Sequence, residues 1–440
     1  KYTLTGTGRY EGTNRLGKSR SARWLPTWNI AGAWNVHEEK FYSNFSHPVL
    51  SHATLKASYS LTADRGPAFV TNSQTILNSY SPWRPSASVT ESGMRITELE
   101  NSELTYEKKH EFNVGVDLGF LHNRINLAAD YYRRNNFDLI GVINTQGAGG
   151  TIAKYANIAS MRSSGIELTL STQNIKKKGF SWNTDFIFSK TKNEITDLKS
   201  HANVLDLISG NGFGREGYPV RALFSIPFAG LTEDGLPTFI NQDGQRTIST
   251  LNFQEYEKLG FLKYEGPTDP TITGSFGNIL TYKNFKLNVF LTYSFGNVIR
   301  LDPVFSSAYS DLDAMPKEFK NRWMKAGDEN TTNIPTIVSY RMNQQYAYLN
   351  MAYNAYNYSD VRIADGGFIR LKEISLSYDL PAKVLNFFRL NKLQFKIQAT
   401  NLFLLYADSK LNGQDPEFFR SGGVSTPVPR QFTFTIRLGL

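Results

Sequence analysis

RQFTFTIRLGL, residues 430–440, puts Phe432, Phe434, Ile436, Leu438 and Leu440 on one side of an extended chain and Gln431, Thr433, Thr435, Arg437 and Gly439 on the other, because successive side chains of a strand point to opposite faces. Five apolar residues on one face make a strand with one greasy and one polar side. The preceding NKLQFKIQATNLF repeats the pattern, with Leu393, Phe395, Ile397 and Ala399 set against Gln394, Lys396, Gln398 and Thr400. Further back, FIRLKEISLSYDLP changes face: Ile369 and Leu371 are odd-numbered, Ile374, Leu376 and Tyr378 even-numbered. A β-bulge near Lys372 accounts for the switch.

The same alternation recurs in FKLNVFLTYSF from Phe285, GIELTL from Gly165, HEFNVGVDLGF from His110 and TLKASYSL from Thr54. Pattern alone gives about 13 strands, and helical period never dominates. His122-Asn123 and Lys283-Asn284 read as short turns. Long irregular stretches near 64–106, 231–270, 299–365 and 405–428 separate other strands. Loops of that size usually carry function or disorder. Within them FQEYEKLG near Gln254 and PKEFKNRWMKAG near Phe319 each have the makings of a short helix. QQYAYLNMAYNAYNY holds Tyr346, Tyr348, Tyr353, Tyr356 and Tyr358, which a helix would place on more than one face. Both loop packing and stacking on a sugar or peptide ligand would use such rings.

The composition fits. Of 440 residues none is Cys, so disulfide frameworks, thiolate metal sites and cysteine nucleophiles are excluded. Aromatic residues make up 13% and all apolar residues only 40%, and the mean hydropathy is -0.37, a balance that suits alternating strands. No run of about 18 apolar residues marks a membrane helix, whereas a barrel strand needs only about 9 to 11 residues. The opening KYTLTGTGRY already reads as a strand, with neither a basic nor an apolar leader region, so either the start is processed or the chain is a piece of a longer one.

Enzyme chemistry leaves no constellation. The histidines, His37, His47, His52, His110, His122 and His201, never recur at the four-residue spacing of a helical zinc site. Gly212, Gly214 and Gly217 match a dinucleotide-binding expression, but a strand-like run follows where a helix N-terminus is needed. Asp234-Gly235 and Asp243-Gly244 read as tight turns rather than calcium loops. The formal charge of +9 is spread along the chain, the one run being Lys176 to Lys178, so no nucleic-acid platform emerges. Repeats of a propeller, the soluble all-β alternative, are absent from the sequence.

The stretch ELTYEKKHEFNVGVDLGFLHNRINLAADYYRRNNFDLI, followed by ANIASMRSSGIELTL, resembles the barrel hallmark of SusC-like TonB-dependent transporters. Further matching segments are GRYEGTNRLG from Gly8, REGYPVRALF from Arg215, LTEDGLPTF from Leu231, and the run from Asp415 to the end. The resemblance implies an all-β, transmembrane antiparallel β-barrel of about 22 strands with a plugged lumen, of which residues 1–440 would be the C-terminal part. Nothing matches the family's signal peptide, N-terminal small domain, TonB box or plug, and the family commonly ends in an aromatic where this chain has Leu440. What it implies is import of oligosaccharides or peptides across the outer membrane of a Gram-negative bacterium, with a SusD-like surface lipoprotein as lid and TonB acting through the plug. No catalysis, cofactor or metal is implied. The alternative is a barrel that docks or assembles surface proteins without import.

Two expectations follow at residue level. Phe432, Phe434, Ile436 and Leu438 face lipid, while Thr433, Thr435 and Arg437 face the lumen or plug. Trp323, Tyr346, Tyr348, Tyr353, Tyr356 and Tyr358 are candidate ligand contacts, because long barrel connections lie on the extracellular side.

Overall fold

In the computed structural model, residues 1–44, 49–68, 70, 74–83, 91–145, 147, 151–304, 315–346, 348–387, 389–419 and 427–439 are described. His47 and Leu440 lie outside them. Twelve long strands form a sheet whose order follows the sequence. They are β1 Tyr2–Gly12, β2 Trp24–Asn35, β3 Leu50–Asp64, β4 Glu107–Phe120, β5 Ile125–Asn144 and β6 Ala153–Lys177. After them come β7 Phe180–Leu198, β8 Ile272–Tyr282, β9 Phe285–Phe295, β10 Phe368–Asp379, β11 Lys392–Ala407 and β12 Gln431–Gly439. The count is one short of the expected 13, and among the described residues β1 and β12 each have one neighbour in the sheet.

The chain divides into two compact units, Lys1–Leu168 with Thr191–His201 and Glu216–Tyr218, and Thr169–Lys190 with Ala202–Arg215 and Pro219–Leu440. In the first, β1 to β5 pair antiparallel in turn. Register aligns Tyr2, Trp34, Leu55, Val116 and Ala129 across five strands, and Thr7, Asn29, Ser60, Glu111 and Arg134 in a row on the other face. On that polar face Lys56 pairs with Asp117 at 2.6 Å and Arg134 with Glu111 at 3.2 Å. A small buried cluster of Leu16, Val70, Leu104 and Tyr106 seals the ends of the strands.

The second unit repeats the logic more sharply. Its strands pair antiparallel from β7 to β12. One row reads Trp182, Leu280, Leu287, Leu376, Ile397 and Phe434; the adjacent row, one residue along, reads Ser181, Thr281, Lys286, Ser377, Lys396 and Thr435. Period-two sequences held in register therefore sort into an apolar and a polar face. The apolar one stays uncovered by protein, with Phe434 61% and Ile397 58% exposed. The bulge expected near Lys372 is present: Phe290 pairs with Glu373 and Leu291 with Leu371, which leaves Lys372 unmatched. That one extra residue restores the apolar face above and below it.

Close backbone approach explains two glycines. A Cβ on Gly165 would meet the Tyr132 ring at 2.5 Å, and one on Gly274 would meet the Ile187 carbonyl at 2.1 Å and the Tyr293 hydroxyl at 2.3 Å. In each case a tyrosine lies across the bare backbone, Tyr132 bonding Thr191 Oγ1 at 3.0 Å and Tyr293 donating to the Ile187 carbonyl at 2.8 Å. Both contacts need the missing side chain.

The connections alternate in length. In the first unit they run 13–23, 36–49, 65–106, 121–124 and 145–152. The turn at 121–124 holds Leu121, His122 and Asn123 at positive φ. Around the second unit, residues 178–179 and 283–284 are two-residue turns, whereas 199–271, 296–367 and 408–430 are long. The first of these long connections begins at residue 199, well ahead of the expected 231, because a capped helix, Val204–Ile208, and the strand Ala222–Ser225 belong to it. FQEYEKLG is not a helix. Glu255 Oε1 instead accepts the N–H groups of Tyr256, Glu257 and Lys258, winding the chain into a turn that competes with helix. PKEFKNRWMKAG gives only a 3₁₀ turn, Lys317–Asn321. Gly235 and Gly244 sit at φ +75 in the two Asp-Gly turns.

Candidate functional site

The long connections of the second unit build its most elaborate polar structure. Arg300 follows an apolar run in one of them and is only 7% exposed. A buried guanidinium has to give its N–H groups to acceptors. Arg300 donates to the carbonyls of Ile208 at 3.1 Å, Ser359 at 3.1 Å and Phe224 at 2.6 Å, and to Ser225 Oγ at 3.0 Å. Those acceptors come from two different connections, so this one side chain fastens them together. Arg370 on β10 donates to both carboxylate oxygens of Asp415 at 2.6 and 2.7 Å and lies 3.1 Å from Glu417. Arg362 pairs with Glu318 and donates to the Asp302 carbonyl at 2.5 Å.

The tyrosine-rich stretch divides into two helices, Tyr340–Gln345 and Leu349–Asn357. The first is capped by Ser339, whose hydroxyl accepts the Met342 N–H at 3.2 Å. In the second, Leu349, Ala352, Tyr353 and Tyr356 recur at helical spacing and are 1% exposed or less, while Asn350 and Asn354 face outward. Tyr353 donates to the Thr336 carbonyl at 2.6 Å. The Tyr356 ring meets Phe228 edge-on at 5.8 Å, and burial pushes its phenol up to about 12. Loop packing therefore claims Tyr353 and Tyr356. Their rings offer no face to a ligand, a correction to the expectation that all six aromatics would do so.

The other four lie elsewhere. Trp323 packs on Gly235, where a Cβ would come within 2.5 Å of its ring. Its indole N–H donates to Glu329 at 3.0 Å and holds that carboxyl below its usual range. Tyr346 approaches Asp234 at 3.4 Å and lines a cleft of about 990 Å³ with Arg246, Glu233 and Glu329. Tyr348 is 70% exposed at φ +66. Tyr358 lines a separate, larger cleft of about 1770 Å³, with the Arg300 guanidinium 5.7 Å from its ring centre. Sequence reading missed this cleft and its arginines, since an isolated Arg in a loop carries no periodicity; the only trace was the run of asparagines between the tyrosines. Nor did it foresee that His37 and His52 would come together, their rings 4.3 Å apart. Among the described residues no three metal-ligating side chains converge there or elsewhere.

Comparison with known proteins agrees with this architecture. TonB-dependent receptor P3 of Formosa agariphila is 24% identical over 95% of this chain and 40% of its own length. TonB-dependent receptor SusC of Bacteroides thetaiotaomicron is 26% identical over 100% of this chain and 42% of its own. Among solved structures, that of the RagAB peptide transporter superposes with a TM-score of 0.78 at 21% identity, over 100% of this chain and 46% of that one. The chain thus spans less than half the length of the relatives it matches. The family described as TonB dependent receptor-like, beta-barrel matches residues 1–402, and the chain belongs to it.

Proposed function

We propose that the chain is the C-terminal part of an outer-membrane transporter that imports oligosaccharides or peptides, works with a SusD-like lipoprotein and is energised by TonB. The observation that carries this reading is the pair of rows in the second unit, one apolar from Trp182 to Phe434 and one polar from Ser181 to Thr435. A sheet sorted in this way suits hydrocarbon on one side and a wet lumen on the other. In this reading Phe432, Phe434, Ile436 and Leu438 face lipid, and Tyr358 with its cleft faces the passage. The names of SusC, a TonB-dependent receptor, and of RagAB, a peptide transporter, support transport over catalysis.

Exposed Tyr340, Tyr348 and Met324, at 81%, 70% and 63%, favour a second role for the rim, docking of a surface protein. One experiment tests both readings. Cells lacking the full-length protein are compared with the parent for uptake of labelled peptides and oligosaccharides, and the tagged protein is purified in detergent to see whether a lipoprotein accompanies it. Lost uptake with a bound lipoprotein supports import. A bound lipoprotein with unchanged uptake leaves docking as the function.

A further inference from the structure

We infer that the larger cleft of the second unit recognises extended peptide main chain rather than sugar. The inference rests on the transport reading for its biological use but makes its own claim about ligand class. At about 1770 Å³ the cleft is larger than a site for a drug-sized molecule, and it suits an oligomer. Five carboxamides line it: Asn211, Asn350, Asn354, Asn401 and Gln414. None of these side chains has a hydrogen-bond partner among the described residues, and the Asn401 Oδ1 is buried without one. The charges beside them are largely matched within the protein, as with Arg370 and Asp415. What is left for a ligand is a set of neutral groups, each offering one acceptor and two donors in a plane. That is the complement of a peptide group, whose C=O and N–H can be met together by a single carboxamide.

The spacing agrees. Asn350 and Asn354 stand one above the other on the helix Leu349–Asn357, separated by about 6 Å of helix rise. An extended chain advances about 6.6 to 6.8 Å between residues that face the same way. Two outward carboxamides on this helix therefore meet alternate residues of a strand laid along it. Sugar recognition relies more on open aromatic faces, and three of the five aromatic rings in this cleft, Tyr358, Phe418 and Phe419, are half-buried, with Phe403 at 49% and Tyr406 at 45% left exposed. Tyr358 is covered by Arg300, the Tyr406 ring lies 6.0 Å from Phe295, and Phe419 packs on a buried cluster around Ile299 and Leu301.

The test uses the full-length protein in detergent, with any lipoprotein that accompanies it. It is offered a tryptic digest of casein and, separately, a partial hydrolysate of mixed plant glycan, and retained molecules are identified by mass spectrometry. Peptides should be retained, and the double variant Asn350→Ala with Asn354→Ala should weaken retention about tenfold or more. Asn343→Ala, on the neighbouring helix and outside the cleft, should behave as the parent, as should the heat-modifiable gel shift of every variant. Retention of glycan in place of peptide, of neither, or of peptide equally by both variants would overturn the inference. Because binding is read without energy coupling, the transport reading fails separately, by unchanged uptake in cells that lack the protein.

Discussion

β12 and the helix Leu349–Asn357 are both rich in large apolar or aromatic side chains, and the two treat them in opposite ways. On β12 the exposures of Phe432, Phe434, Ile436 and Leu438 are 75%, 61%, 56% and 58%. On the helix, Leu349, Tyr353 and Tyr356 are 1% exposed. The strand leaves its apolar side uncovered, as the proposed barrel would need against hydrocarbon, whereas the helix turns its own inward and packs it as a water-facing protein would. Hydrophobicity alone does not say which will happen; the difference lies in what each element has behind it. β12 has only its own polar row, Thr433, Thr435 and Arg437, at its back, and the helix has the strands and turns of its own connections.

The sharpest way to break this comparison is to empty the inward-facing side. Tyr353→Ala should cost about 3 to 5 kcal/mol of local stability, in the range of large aromatic truncations, and should open the connection 296–367 to limited proteolysis while the barrel strands stay protected. Protease resistance equal to the parent's would mean that the helix is not held by its core. The next largest effect belongs to the outward-facing side. Phe434→Arg should cost about 2 to 4 kcal/mol if placed in hydrocarbon, and Thr435→Arg far less. Assembly of the full-length protein, read as the heat-modifiable shift, should fall only for the first, and equal tolerance of the two would remove the proposed register.

A smaller effect is expected at a turn. Gly235→Ala has to adopt φ +75 and place a Cβ against Trp323, which should cost about 1 to 3 kcal/mol and raise hydrogen exchange in the turn Thr232–Leu236 without touching β8 or β9. The smallest concerns pH. Burial pushes the Tyr356 phenol up from 10.0 to about 12. The folded connection therefore holds this proton more tightly than the unfolded one, and the associated stability is fully present below pH 10.0 and lost as pH rises toward 12. Near-UV circular dichroism should be flat from pH 7 to 9 and fall above 10, and Tyr356→Phe should remove part of that fall. An identical alkaline profile in the variant would assign the loss to other tyrosines.

How much was legible follows the same divide. The alternation in FKLNVFLTYSF gave its strand, its face and its turn at Lys283-Asn284, and the change of parity across FIRLKEISLSYDLP located the bulge at Lys372. FQEYEKLG misled because its composition suits a helix while Glu255 captures three successive N–H groups and makes a turn. The tyrosines were visible as a cluster, and their helical period leaves two of them inside and two asparagines outside, but which side is inside cannot be read without the partner surface.

By itself the sequence determined the run of alternating strands, their two faces and the family, because period-two patterning is local: each residue's side is fixed by its neighbours in the chain. The tertiary structure alone decided the fate of the loop aromatics and the existence of the cleft. Arg300 meets acceptors at Ile208 and Phe224, more than 70 residues away in the chain, and Arg370 finds Asp415 across 45. Contacts closed over such distances leave no period in the sequence, since many loop paths are compatible with the same residues and only the folded chain selects one.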